Sequence, residues 1–212
     1  AIARRPACRK AWLNRSAAHL QAHDFEQAEA DAGRAIELAP DDALGYANRG
    51  IARRGRAERD AAGGKDPQAA LEGALRDLDT ALARDPALIA AREEHALACL
   101  NSGDRERSQG RNPLPAYWTA LADLDEAVRR APERAEARFH RALVRASLAD
   151  AERSQGRAWK PGCERALEDF AAALARNPRL REAWIEQAVP LEVRGRWSEA
   201  AAAYEKAADS LD

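Results

Sequence analysis

The side chains that could do chemistry in this sequence include arginines and aspartates at recurring positions. Each arginine precedes a small residue, and each aspartate lies three positions after an alanine: Arg15, Arg49 and Arg141, with Asp31, Asp77, Asp123 and Asp169. A guanidinium and a carboxylate can form two parallel hydrogen bonds, and the same two groups could serve as an acid–base pair. Because the pair recurs in several segments, and catalytic sites are not normally made in quadruplicate, we interpret it as structural.

Motifs for metal binding and catalysis are weak. His19 and His23 are four residues apart, a spacing that zinc can use on one helix face, but Asp24 is the only third ligand nearby. The three cysteines are far apart and form no CxxC pair, which favours buried thiols. The sequence has no phosphate-binding glycine loop, no nucleophile elbow and no HExxH motif. We therefore expect no enzyme activity, no catalytic residue, no metal site and no cofactor.

Four prolines divide the chain at intervals of 46 residues: Pro40, Pro86, Pro132 and Pro178. Close copies of the segment 120–132 end at the second and fourth of these prolines, and a looser copy ends at the first. Spacing this regular indicates that one structural unit has been copied in tandem. Aromatic residues make up only 5% of the chain, and the abundant Ala, Leu, Arg and Glu favour helices. The sequence predicts an all-α repeat protein.

The first unit follows the spacing W-x3-small-x11-A-x6-A-x4-P, carried by Trp12, Ser16, Ala28, Ala35 and Pro40. This pattern resembles the tetratricopeptide repeat, in which two antiparallel helices, A and B, form a hairpin of 34 residues. The same frame fits the remaining units. The resemblance implies an α-solenoid of five antiparallel helix pairs in a right-handed superhelix. The predicted single array over residues 1–212 has repeats at 9–42, 43–88, 89–134, 135–180 and 181–212.

The three middle repeats depart from the family pattern. The small residue of helix A and the first alanine of helix B are 12 positions apart in the first and fifth repeats, and 24 apart in the middle three. Each 12-residue insertion contains a related Gly and Pro segment: GGKDP at 63–67, QGRNP at 109–113 and QGRAWKP at 155–161. We expect each insertion to add about one and a half turns to each helix, with a turn between them.

The recurring arginine falls on predicted helix A, and the recurring aspartate falls on predicted helix B. In the fifth repeat, Gln187 and Ala203 stand at these two positions, so both charges are lost together. We therefore predict that the arginines and aspartates pair between packed helices, and that Asp123→Ala is severely destabilising. Pro190 falls inside helix A of the fifth repeat, where it predicts a kink.

The helix-A faces of tetratricopeptide arrays usually line a concave groove that receives an extended peptide or a helix. Carried over by position, the resemblance implies a groove lined by Asn14, Asn48, Glu93, Glu94, Leu97, Glu136, Phe139, His140, Glu182, Ile185 and Glu186. The charge of this groove runs from neutral to acidic. We expect a partner protein to present a basic, amphipathic peptide or helix segment there. The alternative is a solvated helix face without a ligand.

The hairpin tips form a second candidate surface. Stacked repeats would align a basic ridge with an aromatic residue at its edge: Lys65, Arg111, Arg157 and Trp159. Such a ridge could bind an acidic protein or a phosphate backbone, although neighbouring acidic residues dilute its charge. The chain has 34 basic and 35 acidic residues and a net charge of −1, so it has no overall attraction for nucleic acid. A solvated edge with ion pairs is the simpler interpretation, and we do not expect nucleic-acid binding.

The function that fits these patterns best is a non-catalytic scaffold for protein–protein interaction. An alternative is a regulatory or self-assembly arm of a larger bacterial signalling protein, such as a kinase or protease, because the sequence lacks methionine and its ends look cut. No polar capping helix follows the fifth repeat, so self-association through that repeat is also open. No segment is apolar enough to cross a membrane, and we expect a cytoplasmic location without a membrane partner.

Overall fold

The computed structural model describes residues 8–210. Within that range the chain forms ten α-helices and no strand. The helices are α1 (Arg9–Gln21), α2 (Phe25–Leu38), α3 (Ala43–Ala62), α4 (Gln68–Arg84), α5 (Ile89–Ser108), α6 (Leu114–Arg130), α7 (Ala135–Ser154), α8 (Lys160–Arg176), α9 (Arg181–Val193) and α10 (Trp197–Asp209). The predicted fold class, an all-α solenoid of helix pairs, is confirmed.

The chain divides into two compact units, one ending at Ser102 and the next beginning at Gly103, within α5. In the first unit, α3 contacts its partner α4 and also the preceding pair, α1 and α2. In the second unit, α7 contacts α6 and α8, and α9 contacts α7, α8 and α10. A helix A in either unit therefore packs against its own helix B and against the helix B before it.

Small residues lie where helices A and B cross, as the pattern predicted. Ser16 is fully buried, and its Oγ donates a hydrogen bond of 2.9 Å to the carbonyl of Ala28. At Gly50, an added Cβ would lie 2.6 Å from Leu78 Cγ and 3.2 Å from the carbonyl oxygen of Ala74. Larger side chains would push the two helices apart, and overpacking of this kind typically costs about 1–3 kcal/mol.

The three middle hairpins are longer than the other two, as predicted, but the equal extension of both helices was wrong. The first helix has 20 residues in α3, α5 and α7 against 13 in α1, a gain of about two turns. The second helix has 17 residues in α4, α6 and α8 against 14 in α2. The split is unequal because the chain reverses at the second residue of each Gly and Pro segment, and the second helix begins only next to the proline that ends the segment.

One residue with positive φ reverses the chain at each described hairpin tip. Four of these residues are glycines, and the first hairpin uses a histidine: His23 (56°), Gly64 (72°), Gly110 (70°), Gly156 (69°) and Gly195 (73°). The N–H of the following residue donates to the carbonyl five residues earlier, as from Lys65 to Asp60 at 2.8 Å. Glycine suits this helix ending because it has no Cβ to oppose the left-handed conformation.

Pro190 lies inside α9 without ending it, since the helix continues to Val193. The proline ring has no N–H for the carbonyl of Glu186, so one helical hydrogen bond is missing. The Pro190 carbonyl accepts from the N–H of Arg194 at 3.1 Å, and Cys163 Sγ lies 3.6 Å from the same oxygen. The proline therefore interrupts the hydrogen-bond pattern close to the natural end of the helix.

Two glycine substitutions should have opposite effects on stability. Gly156→Ala places a Cβ in the left-handed conformation and should lower the free energy of unfolding by about 1 kcal/mol. Gly33→Ala lies within α2, where an added Cβ meets nothing within 4 Å, and should raise it by about 0.5–1 kcal/mol. Urea denaturation of both variants tests this, and effects of the same sign would contradict the turn geometry.

Candidate functional site

Three hairpins bury an aspartate that accepts two hydrogen bonds from one arginine. The pairs join Arg15 to Asp31 (2.5 and 2.5 Å), Arg49 to Asp77 (2.8 and 2.7 Å) and Arg141 to Asp169 (2.7 and 2.6 Å). In each pair the arginine lies on helix A, and the aspartate on helix B is only 2–4% exposed. The predicted pairing between packed helices is confirmed in these three hairpins.

A second arginine, one helical turn later, binds the same carboxylate in two of the hairpins. Arg53 Nη1 lies 2.7 Å from an oxygen of Asp77, and Arg145 Nη1 lies 2.7 Å from an oxygen of Asp169. The hydrogen bonds to Asp169 raise the pKa of Arg141, whereas burial lowers the pKa of Arg145. We call each set of two arginines and one aspartate an Arg–Asp cluster. Sequence reasoning missed the second arginine, although its spacing of four residues was visible.

Each Arg–Asp cluster also reaches the helix B of the preceding hairpin. Arg53 Nε donates to Glu29 on α2 at 2.7 Å, and Arg141 Nη1 donates to Asp125 on α6 at 3.0 Å. Because helix A lies between two B helices, one cluster connects three helices through charged hydrogen bonds. Its role is to fix the packing of consecutive hairpins.

The third and fifth repeats have other residues at the cluster positions. His95 stands in place of the first arginine, and its Nε2 lies 3.2 Å from Asp79 on α4, the preceding helix B. Asp123 is half-buried, unlike its three buried counterparts. The fifth repeat has Gln187, Leu191 and Ala203 at the three positions.

The predicted groove residues of the first unit are largely engaged within the protein. Asn48 Nδ2 donates to the carbonyl of Leu13 at 3.3 Å, and Glu94 Oε2 accepts from Arg54 Nε at 2.7 Å. Glu93 is only 5% exposed. The other two positions are Asn14, which is exposed, and Leu97, which is half-buried. These contacts leave little negative charge for a ligand on this part of the surface.

The predicted groove residues of α7 and α9 form a surface that is both acidic and apolar. Its members are three exposed carboxylates and three half-buried side chains: Glu136, Glu182 and Glu186, with Phe139, His140 and Ile185. None of the three carboxylates forms an ion pair with another residue in the range 8–210. The rings of Phe139 and His140 have centroids 5.4 Å apart. We call these six residues the acidic surface.

The predicted ridge residues directly follow the turn glycines. The exposed side chains of Lys65, Arg111 and Arg157 extend from backbone positions whose N–H closes the turn at 2.8 Å. Arg111 is partly neutralised by Glu106, with 3.2 Å between Nη2 and Oε1. Trp159 is half-buried and borders an apolar groove of about 50 Å³ beside α9.

His19 and His23 do not share a helix face, contrary to the sequence-based interpretation. His23 lies beyond the end of α1, in the turn with positive φ, and its ring meets Phe25 edge-on at 5.8 Å. His19 Nδ1 instead lies 3.4 Å from Asp24. Within residues 8–210, no three metal-ligating side chains come together, and no helix has the length and apolar character that crossing a membrane requires.

Paired helices, small residues at their crossings and clusters that join consecutive pairs define a helical-repeat protein. A family model for the tetratricopeptide repeat matches residues 1–43 and 162–212. Over these two segments, at the two ends of the sequence, the chain is similar to the tetratricopeptide repeat. The stretch 44–161, between the matched segments, contains the three insertions that change the spacing of the repeat.

Several solved structures share this fold at low sequence identity. The crystal structure of YrrB, described as a TPR protein with an unusual peptide-binding site, has a TM-score of 0.59 and 18% identity, covering 99% of this chain and 89% of YrrB. MamA from Desulfovibrio magneticus RS-1 has a TM-score of 0.63 and 18% identity, covering 96% of this chain and 94% of that protein. PilF from Pseudomonas aeruginosa has a TM-score of 0.63 and 20% identity, with 95% and 76% covered. No curated protein matches the sequence.

Removal of a cluster aspartate should destabilise the protein far more than removal of an exposed one. Asp169→Ala leaves two part-buried arginines without their carboxylate and should lower the free energy of unfolding by about 3–5 kcal/mol. Asp125→Ala removes a partner of the same arginines whose side chain is 51% exposed, and should cost less than about 1 kcal/mol. Urea denaturation gives both values, and equal losses would contradict the structural role of the cluster.

Proposed function

We propose that this chain is a non-catalytic scaffold whose acidic surface on α7 and α9 binds a basic, amphipathic peptide or helix of a partner protein. The tetratricopeptide-repeat fold is generally used for protein–protein interaction, and YrrB, which shares the fold, is described as having a peptide-binding site. The observation that carries the proposal is a set of exposed carboxylates without basic partners, beside half-buried apolar side chains.

Among the three carboxylates, Glu186 is the most informative. Glu136 and Glu182 lie in the first turns of α7 and α9, where a negative charge also stabilises the positive end of the helix dipole. Glu186 lies in the middle of α9, where the helix gains nothing from its charge. It follows Ile185 and lies near Val189, which is 49% exposed. A basic side chain beside an apolar one would therefore find both of its complements here.

A non-catalytic role is proposed because the buried aspartates of the Arg–Asp clusters are fully hydrogen-bonded within the scaffold. Both oxygens of Asp169 accept hydrogen bonds from Arg141, and one of them also accepts from Arg145. Asp77 is held in the same way by its two arginines. A carboxylate surrounded like this is not available to take a proton from a substrate.

A second candidate function is self-association through the last hairpin. Phe25 of the first hairpin is covered by α3, where an added Cβ at Gly55 would lie 2.3 Å from its ring. Trp197 holds the same repeat position in the fifth hairpin and is 65% exposed, and Tyr204 is 42% exposed. A helix from a second copy could cover these side chains. Light scattering tests this, because a mass that stays monomeric at every concentration contradicts self-association.

Charge reversal at Glu186 should selectively weaken a basic ligand. The probe is a fluorescent amphipathic peptide whose helix has lysines on one face and leucines on the other. We expect Glu186→Lys to reduce the affinity for this peptide roughly tenfold at low salt. Glu205→Lys makes the same charge change at an exposed position of α10 and should leave the affinity nearly unchanged. Fluorescence polarisation measures both. Equal affinities in the two variants, or tighter binding of a Glu-substituted peptide, would contradict the proposal.

A further inference from the structure

The second unit has an open cleft in the fifth hairpin, at the positions that hold the Arg–Asp cluster in the second and fourth hairpins. The cleft has a volume of about 310 Å³ and lies between α8 and α10, with α9 between them. Gln187, Leu191 and Ala203, the residues that replace the cluster in the fifth repeat, all line it.

The cleft has a polar rim and an apolar part formed by leucine, alanine and tryptophan side chains. Leu191 and Ala203 are 6% and 2% exposed, and the half-buried Leu167 and Trp184 complete the walls. The indole N–H of Trp184 already donates to the carbonyl of Pro178 at 2.9 Å, so the indole offers the cleft an apolar surface. An apolar cavity of about 150 Å³ is enough for a benzene ring, so this cleft has room for a large side chain.

Two polar groups of the cleft have no hydrogen-bonding or charged partner among residues 8–210. The side-chain amide of Gln187 makes no hydrogen bond there and is open to solvent. Lys206 Nζ lies 4.5 Å from the centroid of the Trp184 ring and has no carboxylate beside it. Arg196, at the same rim, is already held by Glu199 through two hydrogen bonds of 2.7 Å. The uncompensated charge of the cleft is therefore one ammonium group.

We propose that this cleft is a second binding site, which takes a leucine or phenylalanine side chain from an acidic segment of a partner protein. The apolar side chain fills the volume between α8 and α10, and an adjacent carboxylate pairs with Lys206. A backbone group of the same segment satisfies the amide of Gln187. This site has the opposite charge preference from the acidic surface, so the two surfaces select different segments.

The cleft can be filled with residues that other hairpins of this chain have at the same repeat positions. Gln187→Arg with Ala203→Asp copies the pair that three other hairpins already contain, so it should fold while it fills the cleft. Ser198→Arg with Ala201→Asp makes the same charge changes at exposed positions of α10, outside the cleft, and serves as the matched control. Urea denaturation of both variants verifies that they fold.

The binding probe is a short synthetic peptide with one leucine flanked by glutamates. Its reporter is the indole N–H signal of Trp184 in a two-dimensional NMR spectrum, assigned with Trp184→Phe. We expect a saturable shift of this signal in the wild type and in the control variant. Affinity should fall roughly tenfold or more in the closed-cleft variant, and for peptides with alanine in place of leucine or lysine in place of glutamate.

The proposal is overturned if the glutamate–leucine peptide gives no saturable shift at Trp184 at millimolar concentration. It is also overturned if the closed-cleft variant or the lysine peptide binds as well as the wild-type pair. Because the acidic surface is tested with basic peptides and Glu186→Lys, either site can fail while the other stands.

Discussion

The burial of an aspartate between helices constrains the rest of this structure. A carboxylate taken out of water is costly unless its charge and its hydrogen bonds are satisfied, and Asp77 and Asp169 each meet this requirement with two arginines from helix A. A bidentate contact tolerates little change in angle, so it specifies how helix A lies on helix B. The arginines that also reach Glu29 and Asp125 extend the constraint to the preceding hairpin.

The Arg–Asp clusters use one face of helix A, so other faces of the same helix remain available for binding a partner. Ile185 and Glu186 precede the cluster position of α9 in sequence, so they face a different direction from Gln187. In the fifth repeat the Arg–Asp pair is absent, and a cleft lies at the same positions. On α9, the cleft therefore lies at the cluster position itself, and the acidic surface lies on a neighbouring face of the same helix.

Much of the fold could be predicted because the repeat pattern consists of residues at fixed, short spacings in the sequence. The helix pairs, the small residues such as Gly50 and the bidentate pairs follow from positions that recur in register. The number of inserted residues that extend each helix could not be predicted, because it depends on which glycine reverses the chain. The role of His23 as a turn residue was also missed, since few residues other than glycine adopt positive φ.

The candidate site was harder to predict, because its charges depend on contacts between distant residues. Glu94 is neutralised by Arg54, 40 positions away, and no repeat frame indicates that pair. The cleft could not be predicted either. The sequence shows that both charges are absent at Gln187 and Ala203, but the cleft volume depends on how α8 and α10 lie around α9. Sequence spacing identifies repeated contacts, whereas surfaces made by departures from the repeat require the packed structure.

The most direct test is to give the fourth hairpin the residues of the fifth. Arg141→Gln, Arg145→Leu and Asp169→Ala together reproduce Gln187, Leu191 and Ala203. The residues of the cluster depend on one another, and this triple variant leaves no buried charge unpaired, since Asp125 is exposed. Urea denaturation should therefore show less than half the loss of unfolding free energy that Asp169→Ala alone causes. A triple variant that is as unstable as the single one, or less stable, would contradict the account.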